Sequence, residues 1–364
     1  MAAIHQLTAG FSTGDAISNE ARLFRDLFRA WGHASEIYCE TRRILPELRG
    51  EVRDLRQAAA EIGPDDVALL HLSIGSDAND VYAALRCRKA VLYHNITPAE
   101  YFRGIQEQIA RTLARGRAQA PRLAAITEVT LSCSAWSAQE LRDWGYRDPK
   151  VLPLLLDFGA IRTPPDRATL RKYGDGRTNV LFVGRGAPNK RIEDVLAAFY
   201  YVQRYVDRDA RFIHVGSFAG TERYQALLYA FLRDLRLSDA ELFGTAPQPV
   251  LSALYRTATV FLCLSDHEGF CIPLIEAMAN DVPVVAYAAA AVPETMDGAG
   301  VLFREKRYDL IAETIGALAR DAALREGILR RQRERIARYA ARDLAAELRA
   351  HLAPLTGSSA AHRR

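Results

Sequence analysis

Lysine is scarce in this chain: most of its 48 basic residues are arginines, scattered among 44 acids rather than gathered into a block. With a formal net charge of only +4, it lacks the clustered basic stripe that nucleic-acid binding needs. Cysteine is sparse as well. Cys39, Cys87, Cys133, Cys263 and Cys271 form an odd set with no C-x-x-C pair, which argues against a disulfide framework and against a structural zinc cluster. Long apolar runs are also missing. The most apolar uncharged stretch, Val282–Pro293, falls far short of the roughly 20 residues that span a bilayer. The start, Met1-Ala2-Ala3-Ile4-His5, shows no basic-then-apolar leader, so a cytoplasmic, reducing setting is expected.

What is present is a folded-protein composition, with 364 residues, 49% hydrophobic and 25% charged. A single core rarely grows beyond roughly 250–300 residues, so two domains are expected. Short aliphatic runs alternate with helical patterns throughout, the signature of doubly wound parallel α/β layers. A Gly/Ser/Thr loop, Gly10–Asp15, precedes a helix whose apolar positions Ile17, Ala21, Phe24, Leu27, Phe28 and Trp31 recur every three or four residues. Strands are predicted at Ser35–Cys39, Val67–His71, Ala90–His94, Thr130–Cys133 and Val151–Leu155. A second series runs through Asn179–Val183, Phe212–Val215, Glu241–Phe243, Thr259–Leu264 and Val282–Ala286, with helices near Arg191–Val206, Glu222–Leu235 and Leu274–Ala279. The expected division is a first Rossmann-like domain over 1–160, a Pro/Gly-rich linker over 161–177, a second Rossmann-like domain over 178–335, and a C-terminal helix with a fraying tail over 336–364. Two α/β halves joined by a hinge imply a ligand cleft between them.

Two segments carry chemistry. In Ser265-Asp266-His267-Glu268-Gly269-Phe270-Cys271-Ile272-Pro273-Leu274-Ile275-Glu276, a buried strand leads through a Gly-containing turn into a helix opened by Pro273. Glu268 precedes that helix and Glu276 lies one turn inside it, so both carboxylates can face one cleft. The free N–H groups of the turn suit an anionic or hydroxyl-rich ligand. In Val183-Gly184-Arg185-Gly186-Ala187-Pro188-Asn189-Lys190, a strand ends in a loop bracketed by a forked guanidinium and a compact ammonium, a fitting pair for a diphosphate. Asn189 stands where a dinucleotide fingerprint needs its third glycine, and no P-loop is present. The lone D-x-D, Asp207-Arg208-Asp209, is expected at a helix-to-strand turn, and no metal site is expected.

Together these segments resemble the nucleotide-sugar-dependent retaining glycosyltransferases of family 4, which have the GT-B fold. The order is a strand, the loop Gly184–Lys190, a strand ending in a turn that holds Gly216, a loop at Phe243-Gly244, and the E-x7-E element Glu268–Glu276. The resemblance is strong in the second half and looser in the first. It implies two Rossmann-like domains facing a central cleft, with a C-terminal helical segment. It also implies that Arg185 and Lys190 hold the donor diphosphate. Glu268 would contact the transferred sugar, with the Gly269-Phe270-Cys271 backbone beside it, and Glu276 would bind the ribose. Family members often have glycine where Cys271 stands. Gly14, before the first helix, matches a substrate-contacting glycine, although Asp15 replaces the second glycine of the usual pair. His94, at a strand's carboxyl end, resembles the active-site histidine, and His71 ends the preceding strand.

The resemblance implies a hexose-type sugar passing from a nucleoside-diphosphate sugar to a hydroxyl-bearing glycan, lipid-linked or small-molecule acceptor, with retention and without metal or other cofactor. Polysaccharide, glycolipid or glycoconjugate assembly is the setting it suggests, and it leaves peripheral contact with the inner face of a membrane open. A nucleotide-sugar epimerase, a phosphorylase on the same fold and a non-catalytic nucleotide-sugar-binding module are the alternatives. The scarcity of lysine counts against a pyridoxal-dependent phosphorylase.

Overall fold

A computed structural model describes residues 2–357. The chain forms two compact units. Unit 1 comprises residues 2–100, 108–156 and 343–357; unit 2 comprises 101–107 and 157–342. The C-terminal helix Leu344–Thr356, capped by the Asp343 carboxylate, therefore belongs with the first unit. The stretch expected as a linker contains a helix, Arg167–Tyr173, whose first turn is capped by Asp166. The expected fraying tail begins at Thr356, which closes the last helix, and its residues 358–364 lie outside the described residues.

Unit 1 holds the strands β1 (Ile4–Leu7), β2 (Ile37–Cys39), β3 (Arg53–Asp54), β4 (Val67–Leu72), β5 (Arg88–Tyr93), β6 (Val129–Ser132) and β7 (Lys150–Val151). They lie in the order β3-β2-β1-β4-β5-β6-β7, all parallel. Unit 2 holds β8 (Asn179–Val183), β9 (Arg211–Val215), β10 (Ala240–Leu242), β11 (Val260–Cys263), β12 (Val284–Tyr287) and β13 (Val301–Phe303), in the order β10-β9-β8-β11-β12-β13, also parallel. The central strands β4 and β11 are buried along their whole length and mostly apolar, with His71 the polar residue of β4. Sheets with both faces covered by helices require such runs.

In both sheets the chain lays strands to one side of its first strand and then crosses to the other. The reversal falls between β1 and β4 in unit 1, and between β8 and β11 in unit 2. Loops leaving the carboxyl ends of the two strands at such a reversal diverge, and ligands bind in the crevice they leave. This topology places the segments after β8 and β11 side by side.

The expected strand Val151–Leu155 shrinks to β7, an edge strand paired only to β6. Pro153 lacks the N–H that would continue the ladder. The strand β1 escaped the sequence reading because His5 and Gln6 interrupt its apolar run, yet all four of its residues are buried. The final helical stretch is three helices, Tyr308–Arg320, Ala322–Ala340 and Leu344–Thr356. Asp321 ends the first and caps the second, and Asp343 caps the third.

Candidate functional site

The loop after β8 is fixed by backbone pairing with its neighbour. Gly184 N–H donates to Val215 O at 2.9 Å and Gly186 N–H donates to Ser217 O at 2.9 Å. The approach is close enough that a Cβ on Gly216 would lie 1.8 Å from Gly184 O, and one on Gly186 would lie 2.1 Å from the Phe218 ring. Both glycines are thus required by packing. Arg185 is exposed, and its Nη2 donates to Ala219 O at 3.0 Å. The loop ends in a single turn, Pro188–Lys190, and Arg191 then adopts a left-handed conformation (φ 51°) to start the helix Ile192–Tyr201.

Asn189 joins this loop to the turn after β11. Its Nδ2 donates to His267 O at 3.1 Å, and its carbonyl accepts from Asp266 N–H at 3.0 Å. Lys190 makes the central contact: its Nζ lies 2.6 Å from Glu268 Oε2, with Glu268 buried and the lysine side chain 20% exposed. Burial works against the Lys190 charge, and the Glu268 carboxylate leads the opposing pull, leaving its pKa raised. Lys306 links the turn after β11 to the helix that follows the β8 loop, reaching Asp266 Oδ1 at 2.5 Å and Asp194 Oδ2 at 2.7 Å. Gly269 continues the turn, and the buried Phe270 accepts from Thr295 Oγ1 through its carbonyl. Cys271 then caps the helix Ile272–Ala279 in a left-handed conformation, φ 73°. That is a glycine-favouring geometry at the position where the resemblance anticipates glycine.

Glu276 lies one turn inside this helix, half-buried, and accepts from the Tyr255 hydroxyl at 2.8 Å. Burial raises its carboxyl pKa, and the Tyr255 hydrogen bond works in the other direction. Lys190, Glu268 and Glu276 thus all stand on the segments that diverge between β8 and β11. Gly216 follows β9, and its N–H donates to Gly244 O at 2.7 Å.

The remaining expected residues belong to unit 1. Gly14 is exposed and left-handed (φ 74°), and Asp15 caps the next helix by accepting from Ser18 N–H at 2.8 Å. His94 follows β5 and belongs to a buried chain of aligned hydrogen bonds. Gln6 Nε2 donates to Ala21 O at 3.0 Å, which turns Gln6 Oε1 toward His71 Nε2 at 2.9 Å. His71 Nε2 must then carry its proton, so its Nδ1 accepts from His94 Nε2 at 2.9 Å. The bare His94 Nδ1 faces Glu20 Oε2 at 3.7 Å, beyond hydrogen-bond length. Burial lowers the His94 pKa to about 3 and raises that of Glu20 to about 8. The whole chain is therefore uncharged at neutral pH.

The buried, protonated Glu20 couples stability to pH. The folded-state pKa of Glu20 is raised from 4.5, so the folded state holds the extra proton. The cost of ionising it is absent below pH 4.5 and grows until pH passes about 8. Glu20→Gln keeps the shape and removes the titration. Urea unfolding at pH 5 and pH 8 is expected to show wild type losing on the order of 2–4 kcal/mol more than the variant. Equal losses would show that Glu20 is ionised across that range.

Several contributing residues gave no local signal. Tyr255 and Thr295 lie on other elements, and within its own loop Asn189 marks only a departure from a dinucleotide fingerprint. Glu20 did leave one: with Ala21, Phe24 and Phe28 it forms the buried face of the first helix, where a carboxylate is out of place. Two groups among the described residues bring possible metal-ligand atoms within 4.8 Å of one another: Glu20, His71 and His94, and Cys263, Glu268 and Cys271. In the first the imidazoles are committed to each other, and in the second Glu268 is held by Lys190. The D-x-D turn is local, with Asp207 accepting from Asp209 N–H at 3.0 Å.

Residues 166–342 match the family described as glycosyl transferases group 1. The chain carries a group 1 glycosyltransferase domain. That domain contains Lys190, Glu268 and Glu276, with both loops that present them. Over 147 residues the chain is 29% identical to O-antigen chain mannosyltransferase B of Escherichia coli, covering 40% of this chain and 38% of that protein. Over 150 residues it is 31% identical to a GDP-mannose:cellobiosyl-diphosphopolyprenol alpha-mannosyltransferase of Xanthomonas campestris, covering 40% and 38%. The chain thus spans about two-fifths of the length of the curated relatives it matches. Among solved structures, HepE of Anabaena in complex with UDP and glucose has a TM-score of 0.72 at 18% identity, covering 97% of this chain and 99% of that one. The fold is GT-B, as expected from the two motif segments. No helix among the described residues is long and apolar enough to cross a membrane.

Proposed function

We propose that the protein is a glycosyltransferase moving a hexose-type sugar from a nucleoside-diphosphate sugar to a hydroxyl of a glycan, lipid-linked or small-molecule acceptor. The observation that carries this reading is the Lys190–Glu268 pair at the β8/β11 reversal of a group 1 domain, with Glu276 one turn further on. As the sugar leaves, positive charge develops at its anomeric centre and negative charge on the diphosphate. Arg185 and Lys190 stabilise the diphosphate, and Glu268 lies toward the sugar. Fixed charges in a partly dry site act most strongly when charge is developing, where catalysis requires it. In this reading the cationic side chains serve in place of a divalent ion. The leaving phosphate deprotonates the acceptor on the face it departs from, with retention. His94 of unit 1, neutral and held by His71, orients a sugar hydroxyl rather than acting as a base.

The X. campestris relative's name states GDP-mannose and a diphosphopolyprenol-linked acceptor, which makes GDP-mannose with a lipid-linked glycan the first pair to test. Such an acceptor would bring the protein to the cytoplasmic membrane surface as a peripheral protein. Incubation with GDP-, UDP- and ADP-sugars is expected to release nucleotide only when acceptor is present. Conversion of the donor sugar without acceptor would instead indicate an epimerase.

The division of roles between the carboxylates is also testable. Glu276→Ala is expected to weaken binding of the free nucleoside diphosphate roughly tenfold or more, by removing a charge-assisted hydrogen bond. Glu268→Ala is expected to spare nucleotide binding and damage sugar transfer. Calorimetry with nucleotide alone distinguishes them, and equal losses in the two variants would refute the assignment.

A further inference from the structure

The turn that carries Glu268 is bounded by two cysteines. Cys263 is the last residue of β11 and Cys271 caps the helix Ile272–Ala279, so the pair encloses residues 264–270. Their sulfurs lie within 4.8 Å of each other, Cys263 is fully buried, and Cys271 is 7% exposed. Cys263 also donates to Ser265 Oγ at 3.4 Å. A hydrogen bond between the thiols lowers the Cys263 pKa and raises that of Cys271. Cys271 occupies a left-handed position (φ 73°) that glycine would hold without strain, so backbone geometry alone does not account for a side chain there. A metal ion is the weaker occupant. Glu268, the third possible ligand, is held 2.6 Å from the Lys190 ammonium, and two sulfurs fall short of the four ligands of a structural zinc site.

We propose that Cys263 and Cys271 are an oxidisable pair, and that a disulfide between them staples the end of β11 to the start of the next helix across the turn bearing Glu268. The oxidant is a low-molecular-weight disulfide. Two sulfur–hydrogen bonds break and one sulfur–sulfur bond forms within the protein. The small disulfide takes up the electron pair and both protons and leaves as two thiols. The linkage constrains the segment that contains Asp266 and Glu268, so the redox state of the pair sets the conformational freedom of the loop opposite Lys190. This holds whether or not the chain transfers sugar.

The test uses the full chain incubated with oxidised glutathione, then alkylated with iodoacetamide in denaturant and digested after Glu268. The two fragments holding Cys263 and Cys271 are expected to remain joined, lighter by two hydrogens and without alkyl groups until reduced. Buried Cys39 and Cys133 are expected to remain alkylatable. In Cys263→Ser the joined species is expected to vanish and Cys271 to be recovered alkylated or as a glutathione mixed disulfide. Hydrogen exchange on the oxidised wild type provides a second reading, with slower exchange expected for amides 264–270. Recovery of both cysteines alkylated, or of each only as a separate mixed disulfide, would overturn the proposal, as would exchange in that segment unchanged by a formed linkage.

Discussion

Lys190→Ala is expected to lower turnover by about 10²–10³-fold, the loss associated with removing one preorganised donor to a developing negative charge. The substitution also leaves Glu268 buried without its counter-charge, and such a carboxylate destabilises the fold or takes up a proton. Two effects are therefore mixed in the single variant. Pairing Lys190→Ala with Glu268→Gln removes both charges and isolates the stability effect: stability is expected to recover, and turnover is read against Glu268→Gln alone, because Glu268 is itself assigned a part in transfer. Lys190→Arg keeps the charge but replaces a compact ammonium with a broad planar fork in a loop where Gly186 already lies against Phe218. It is expected to recover only part of the rate. Nucleotide release at saturating donor, measured on variants shown to be folded by circular dichroism, checks all three. A folded Lys190→Ala protein with near-normal turnover would exclude Lys190 from stabilising the leaving group.

The parts of this site legible in the sequence were those encoded locally. Residues 183–190 and 265–276 each combine a strand end, a loop and a helix start, and the chemistry of each loop is written in consecutive residues. What the sequence did not display is how the two loops are joined. Lys190 and Glu268 are 78 residues apart, and their pairing depends on β8 and β11 being neighbours, which follows from the crossover and from no local pattern. Asn189 illustrates the same point: beside the loop motif it marked only a departure from a dinucleotide fingerprint, whereas in the fold it ties both loops together. Tyr255 reaches Glu276 from a different helix, with no spacing rule to announce it. The strand β1 was hidden for a related reason. Its His5 and Gln6 interrupt the apolar run of a strand that is nonetheless buried, with Gln6 bonded to Ala21 O and to His71.

His94→Ala is expected to lower transfer by roughly 10²-fold, at the lower end of what a positioned histidine contributes, while leaving nucleoside diphosphate affinity near wild type. The nucleotide contacts proposed here, Lys190 and Glu276, belong to unit 2, whereas His94 belongs to unit 1. The aligned chain in unit 1 complicates the usual control. Removing the imidazole leaves His71 Nδ1 without its donor and opens space beside Glu20, whose Oε2 already lacks a hydrogen-bond partner. A lower Tm is therefore expected whether or not His94 takes part in transfer, and a Tm shift alone decides nothing. The decisive measurement is turnover well below the variant's own Tm, alongside calorimetry with the nucleotide. There a catalytic contribution persists as lost transfer with normal nucleotide binding, whereas a purely structural one disappears. The pH profile gives an independent reading. Burial holds the His94 pKa at about 3, so an orienting histidine contributes no inflection of its own between pH 6 and 8, where its neighbour Glu20 begins to titrate; an inflection there that vanished in His94→Ala but persisted in Glu20→Gln would recast His94 as a proton carrier. His94→Asn, which can still donate a hydrogen bond toward His71, is expected to recover stability ahead of turnover. Recovery of turnover in step with stability would mean that His94 acts only by holding the fold.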